Sequence, residues 1–220
     1  MAQGFFITAS DTGSGKTYLA AQLAAALNAQ GLRVAVRKPV ESGCVEHDGV
    51  LIAQDAEQLR HAAGAWETLE TICPNPLRAP LSPPRAARYM KRKLMLAELH
   101  AACAMPENAD CILVEGAGGF FAPLAEDGLN ADLAAKLGLP ILLVVPDRLG
   151  AINQALLGIH AVTHRGLTLA GVILNQLDAE TPRSMDNYAD LRLWTGAPIM
   201  RMERHANGAA LLARLQPCMS

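Results

Sequence analysis

Aromatic side chains are scarce: Phe, Trp and Tyr make up 4% of the 220 residues. That leaves no ladder of rings on which single-stranded bases could stack. An excess of charge of either sign is missing too. The 19 Lys and Arg nearly balance the 21 Asp and Glu, for a formal net charge of -2, so no basic field draws nucleic acid and no acidic tail ends the chain. No stretch reaches the ~18 uninterrupted apolar residues of a membrane-spanning helix. Met1-Ala2-Gln3 leads into a strand-like segment without a cationic leader, so a cytoplasmic protein with neither nucleic-acid nor membrane partners is expected. Paired cysteines are also lacking. Cys44, Cys73, Cys103, Cys111 and Cys218 are odd in number with no two-residue spacing, which excludes a disulfide framework and a zinc knuckle. They read as small buried hydrophobes or as surface thiols in a reducing compartment.

What the chain does have is a regular alternation of short apolar runs and longer helical patterns, the mark of βα units and a mostly parallel sheet. Strands are expected at residues 5–8, 33–36, 111–114, 141–145, 169–174 and 198–202, and helices at 16–30, 50–63, 85–104, 129–137, 151–165, 185–194 and 206–215. Runs such as Ile141-Leu142-Leu143-Val144-Val145 are apolar at every position, as required when helices cover both faces of the sheet. The expected fold is therefore α/β, a doubly wound, mostly parallel sheet of the P-loop NTPase-like, three-layer kind. A length within the range of one core, up to about 250 residues, makes 1–220 a single domain. Residues 73–84, with Pro74, Pro76, Pro80, Pro83 and Pro84, form the one linker-like stretch. Composition favours a rigid surface crossover there over a preformed wall of a substrate site.

Ala9-Ser10-Asp11-Thr12-Gly13-Ser14-Gly15-Lys16-Thr17 lies between an apolar strand and a helical pattern. It fits a phosphate-binding loop in all but its first position, where Ala9 replaces glycine. Gly13 and Gly15 let backbone N–H groups turn inward around phosphate oxygens, and the helix starting at Lys16 adds its positive end. Lys16 suits the β- and γ-phosphates, and the Thr17 hydroxyl suits magnesium. Ala9 is compatible only with a negative φ. A second magnesium ligand is expected at Glu115, which ends Cys111-Ile112-Leu113-Val114 and precedes Gly116-Ala117-Gly118-Gly119, at the carboxyl end of a strand where such sheets bind ligands. Lys38, in Lys38-Pro39-Val40-Glu41-Ser42-Gly43, should emerge on the same edge and could neutralise charge in phosphoryl transfer. Asp55, on the next helix, is a further candidate.

These segments, with Pro80-Leu81-Ser82-Pro83, Leu149-Gly150-Ala151-Ile152-Asn153 and Gly171-Val172-Ile173-Leu174-Asn175, stand in the order and spacing of the dethiobiotin synthetases. Over residues 4 to about 177 the chain resembles that family. The resemblance implies closure of 7,8-diaminononanoate with carbon dioxide to dethiobiotin, in biotin biosynthesis, with ATP as co-substrate and Mg²⁺ as cofactor. A carbamate and a mixed carbamic–phosphoric anhydride lie on that path. It also implies a homodimer with active sites near the subunit interface. Carried over residue by residue, Lys16 and Lys38 are catalytic, and Thr17, Asp55 and Glu115 hold the metal. ATP would be surrounded by Gly13, Ser14, Gly15, Lys16, Thr17, Tyr18, Asp55, Glu115, Gly116, Ala117, Gly118, Asn175 and Gln176, with Asn175 reading adenine. Substrate would meet Ser42, Pro80, Gly150, Ala151, Ile152 and Asn153, the last four from the neighbouring subunit. The stretch Met200-Arg201-Met202-Glu203-Arg204 departs from the family by lacking a glycine and a proline after the last strand.

The alternative is a partner-regulated switch ATPase of the Min and Par type. Those proteins carry a signature lysine where Asp11 stands, and a basic amphipathic membrane helix at the C-terminus. An amidating synthase of the same fold would need a glutamine-hydrolysing domain, for which the chain has no room. His160 and His164 lack the intervening glutamate of a zinc protease, and Lys91-Arg92-Lys93 reads as a solvated helix face.

Overall fold

A computed structural model describes residues 4–177, 182, 184–204 and 208–215. In chain order the elements are β1 (Gly4–Ala9), α1 (Lys16–Ala29), β2 (Val34–Arg37), β3 (Glu41–Ser42), β4 (Val45–His47), β5 (Val50–Ile52), α2 (Gln54–Ala62), α3 (Leu69–Ile72) and β6 (Pro76–Leu77). There follow α4 (Pro83–Tyr89), α5 (Leu96–Ala101), β7 (Cys111–Glu115), β8 (Pro123–Ala125), β9 (Gly128–Leu129), α6 (Asn130–Leu137) and β10 (Ile141–Pro146). The chain continues through α7 (Ala151–His164), β11 (Leu169–Asn175), α8 (Asn187–Leu191), β12 (Ile199–Met202) and α9 (Gly208–Leu215). Met1 to Gln3, Cys218 and the first two residues of the expected last helix lie outside the described residues.

The six long strands form one parallel sheet in the order β12-β11-β10-β1-β7-β2. Alternating side chains feed opposite layers. Phe5 and Ile7 join Leu19, Leu23 and Leu212 on the face covered by α1, α2 and α9. Phe6 joins Val114, Leu124 and Leu133 on the other face, and Leu143, Val145, Leu174 and Leu191 close the far end under α7. Each fully buried Phe or Leu contributes about 1.5–3 kcal/mol of transfer free energy, so β1 and its neighbours are the stable centre. No helix among the described residues is long and apolar enough to cross a membrane.

Four expectations require correction. Residues 50–52 are not the start of a helix: β4 and β5 form an antiparallel hairpin across Asp48 and Gly49, whose φ values of 50° and 82° suit the two-residue turn of a twisted hairpin. The expected helix at 85–104 is two short helices. α4 begins at Pro83, with prolines in the first turn where their missing N–H is harmless, and stops near Lys91, which is left-handed at φ 57°. The chain then carries Leu94 into the core at 1% exposure, while Arg92 donates to Asn75 Oδ1 at 2.7 Å and to Glu98 at 3.2 Å. The basic run is thus a connector between helices, not a helix face. The proline-rich stretch is more than a crossover, since Pro76–Leu77 pairs in parallel with Glu41–Ser42.

A buried ion pair ties β2 to the segment before α3. Arg37 Nη1 and Nη2 donate to Glu67 at 2.8 and 2.9 Å, and the guanidinium also reaches the Val36 and Ala104 carbonyls. Their side chains are 3% and 8% exposed. Breaking such a pair on one side strands a buried charge at a cost of about 3–5 kcal/mol. Glu67→Ala should therefore lower the urea midpoint by that equivalent, and an Arg37→Met/Glu67→Leu double variant should recover most of it. A double variant as unstable as the single one would deny the pair this role.

Four thiols resolve the question left by composition. Cys44, Cys73, Cys103 and Cys111 are free and buried. Burial is the main cause that pushes them up to about 11, 12, 12 and 11 respectively, so almost no thiolate exists at pH 8. A Cys218→Ser variant should take up no disulfide reagent at that pH until denatured, followed as absorbance of the released thiolate.

Candidate active site

Strand register assembles the site. β7 lies between β1 and β2, with Ile7 opposite Glu115 and Arg37 opposite Val114. One residue further on, Lys38 and Glu115 leave adjacent strands side by side, next to the loop that follows β1. The Lys38 ammonium donates to Glu115 Oε1 and, at 3.0 Å, to Asp55 Oδ2. The Thr17 hydroxyl donates to the same Glu115 oxygen at 2.9 Å. Side-chain exposure is 4% for Lys38 and 1% for Glu115, against 44% for Asp55. Burial pushes the Lys38 ammonium down, yet Glu115 and Asp55 outweigh it and hold the group above the ordinary lysine range. It stays a cation. Burial, helped by the Lys38 charge, brings Lys16 down to about 8 against the pull of Glu115, Asp55 and Asp11.

The loop itself is braced from outside. Gly15 is left-handed at φ 91°, and a Cβ there would lie 2.1 Å from Asn175 Nδ2. Glycine is needed on both counts. The Asn175 amide donates to Ser14 O at 2.9 Å, and Ser14 Oγ donates to Asp11 O at 2.8 Å. Ala9 ends β1 outside the positive-φ region, so its methyl imposes no strain at the first position of the loop.

Two adjoining cavities share walls. One, of about 290 Å³, is bounded by Gly13, Gly15, Lys16, Thr17, Lys38, Glu41, Asp55 and Glu115, and the other, of about 370 Å³, by Pro80, Leu81, Ser82, Pro83, Ala122 and Pro123. Thr12, Ser42, Ala117 and Gly118 belong to both. The proline-rich stretch therefore does form a wall. Other expected residues stand apart. Tyr18 packs against the core, Gly116 is buried, and Asn175 points at the loop it braces. Gln176 donates its N–H to Met202 O at 3.0 Å. Gly150, Ala151, Ile152 and Asn153, at the start of α7, line neither cavity. Among the described residues no group of three or more His, Cys, Asp or Glu forms a metal cage.

Two residues without an assigned role in the sequence proved central. Asn130, fully buried, accepts from Ala117 N–H at 3.0 Å and donates to the carbonyls of Ala117, Gly119 and Ala122, which pins the loop after Glu115. Glu41 accepts from Asp55 and Ala56 N–H. A polar Asn opening a helix was visible in the sequence, but nothing local tells a cap from a loop anchor.

Known proteins fit this geometry. Residues 3–215 match a family described as an AAA domain. The ATP-dependent dethiobiotin synthetase BioD of Anaeromyxobacter dehalogenans is 40% identical over 225 residues, covering 97% of this chain and 99% of that protein. The enzyme of the same name from Ralstonia nicotianae is 42% identical over 222 residues, covering 95% and 97%. Among solved structures, the signal recognition particle receptor FtsY of Elizabethkingia anophelis superposes with a TM-score of 0.52 at 16% identity, covering 98% of this chain and 65% of that one, a likeness of fold alone. With identities of that size running nearly end to end in both chains, this protein belongs to the family of ATP-dependent dethiobiotin synthetases.

Proposed function

We propose that the chain, a single domain over 1–220, closes 7,8-diaminononanoate and carbon dioxide into dethiobiotin at the expense of ATP. The observation that carries this is the shared wall. A cavity built for phosphates, with two buried lysines, adjoins a mainly apolar cavity, and Thr12, Ser42, Ala117 and Gly118 line both; the second suits an alkyl chain. Phosphoryl transfer between an acceptor in the second and a nucleotide in the first needs that adjacency.

The metal expected with ATP fits the residues present. Glu115 Oε2 is buried without a hydrogen-bond partner, which costs about 1–3 kcal/mol unless a ligand satisfies it. Glu115, Asp55 and the Thr17 hydroxyl are hard oxygen donors, few enough to leave positions for phosphate oxygens and water, as magnesium prefers. Bound there, Mg²⁺ would neutralise charge on the phosphates.

In this reading the lysines favour the neutral form of a substrate amine beside them. The amine adds to carbon dioxide and loses a proton, giving a carbamate. A carbamate oxygen attacks the γ-phosphorus and ADP leaves, with Lys16 and Lys38 stabilising the equatorial oxygens. The second amine then attacks the carbamoyl carbon, phosphate departs, and a proton is released as the ring closes. Gly13, Gly15 and the start of α1 would hold the phosphates by backbone N–H groups, and Ser42 and Pro80 would flank the substrate.

Among the described residues, none that lines the second cavity is a cation able to meet the substrate carboxylate. We assign that task to residues 150–153 of a second copy, at a helix start whose first N–H groups have no partners inside the helix, although the Ala151 N–H donates to Arg148 O at 3.0 Å. Leu149, just before α7, and Leu157, within it, are 91% and 63% exposed, which supports a homodimer. The free buried thiols suit a reducing cytoplasm. Nothing favours a switch ATPase: Asp11 holds the Thr12 N–H at 2.7 Å where such a protein would carry lysine.

The test is phosphate release with ATP, Mg²⁺ and bicarbonate, with and without the diamine, alongside dethiobiotin by mass spectrometry. Release that depends on the diamine and matches product mole for mole is expected; a folded, ATP-binding protein that makes no product would refute the reading. Lys38→Ala should lower kcat by about 10²–10³-fold, the scale of a lost transition-state donor, while far-ultraviolet circular dichroism stays native. A kcat within a factor of three of the parent would remove Lys38 from the mechanism.

A further inference from the structure

Helix α2 starts without a cap of its own. Its N-cap position is Ala53, and no side chain there accepts from the first turn, although the leading N–H groups of a helix have no partners inside it. Glu41 supplies the acceptors from β3. Its Oε1 takes the Asp55 N–H and its Oε2 the Ala56 N–H, each at 3.0 Å. The carboxylate also stands at the positive end of the helix dipole. Glu41 is 7% exposed and held from behind. Its N–H donates to Asn75 O at 3.2 Å, it pairs with Pro76 in the β3–β6 ladder, and Asn75 Nδ2 ties the same strand through Pro39 O at 3.0 Å.

The residue that Glu41 grips by its backbone is the one whose side chain reaches the site. Asp55 touches Lys38 yet remains 44% exposed, so packing alone does not set its direction. Lys38 holds the Asp55 carboxylate at 3.0 Å, and Glu41 fixes the backbone from which that side chain leaves. We propose that Glu41 is a positioning residue: by capping α2 from another segment, it aims the Asp55 carboxylate into the phosphate cavity. This rests on the reading of Asp55 as a magnesium ligand. Glu41 acts through Asp55, so removing it should matter only while the Asp55 carboxylate is there to be aimed.

The experiment is a cycle of Glu41→Ala, Asp55→Asn and the double variant, each in the full chain with ADP. Mn²⁺ affinity is read by electron paramagnetic resonance and the unfolding midpoint is measured in parallel. Each single change should weaken Mn²⁺ binding roughly tenfold, the lower end for residues that orient a metal ligand, and the double variant should bind no worse than Asp55→Asn. Glu41→Gln, which keeps one acceptor oxygen, should fall between Glu41→Ala and the parent, and decides the comparison if Glu41→Ala does not fold. Parent-like Mn²⁺ affinity in Glu41→Ala, or a double variant that loses the product of both effects, overturns the proposal. If Asp55→Asn itself binds Mn²⁺ like the parent, the assignment of Asp55 as a ligand fails, and the capping role in metal binding falls with it.

Discussion

The buried contact between Lys38 and Glu115 is the constraint on which the rest of the site depends. Removing two charges from water costs several kcal/mol per ion, and their attraction does little better than offset it. The pair is therefore poor value as a source of stability. It exists because β7, from the middle of the chain, enters the sheet between β1 and β2. That order and the register Arg37 to Val114 deliver the lysine and the glutamate from neighbouring strand ends. A slip of one residue in either strand would turn one of them to the opposite face, so the register of β2 against β7 is what fixes the electrostatics.

Everything around the pair holds charged groups still in a dry setting. Asn175 braces the phosphate loop from β11, Asn130 pins residues 117–122 from α6, and Glu41 fixes the start of α2. Each uses side-chain oxygens or amide groups on backbone, so the loops keep their shape without long side chains crossing the cavities. Preorganisation of this kind reduces the reorganisation that polar groups must undergo during reaction. It also leaves Glu115 Oε2 without a partner, a buried acceptor at the site that none of the donors among the described residues satisfies.

The sheet and the phosphate loop were legible because both are encoded locally. An all-apolar run such as Ile141–Pro146 has one stable home, and Gly13, Gly15, Lys16 and Thr17 act within a single turn of chain. The β4–β5 hairpin was also encoded, in Asp48-Gly49, but Val50, Leu51 and Ile52 run on into a helical pattern and their apolar spacing suits either state. The break between α4 and α5 was not legible. Leu94 and Arg92 leave the helix for partners at Glu126 and Asn75, and tertiary contacts of that kind override local propensity.

The least legible feature is the direction of side chains whose partners are distant in sequence. Asn175, expected to read adenine, donates its amide to Ser14 O in the loop after β1. Glu41 was read only as part of a lysine-bearing segment, because nothing within several residues shows what a glutamate opening a short strand will cap. In both cases the residue type was informative and the partner was not: a buried amide or carboxylate must be satisfied, but only the fold decides by what. Sequence therefore picked out Lys16, Thr17, Lys38, Asp55 and Glu115, which the fold gathers around one cavity, more fully than the scaffold that aims them.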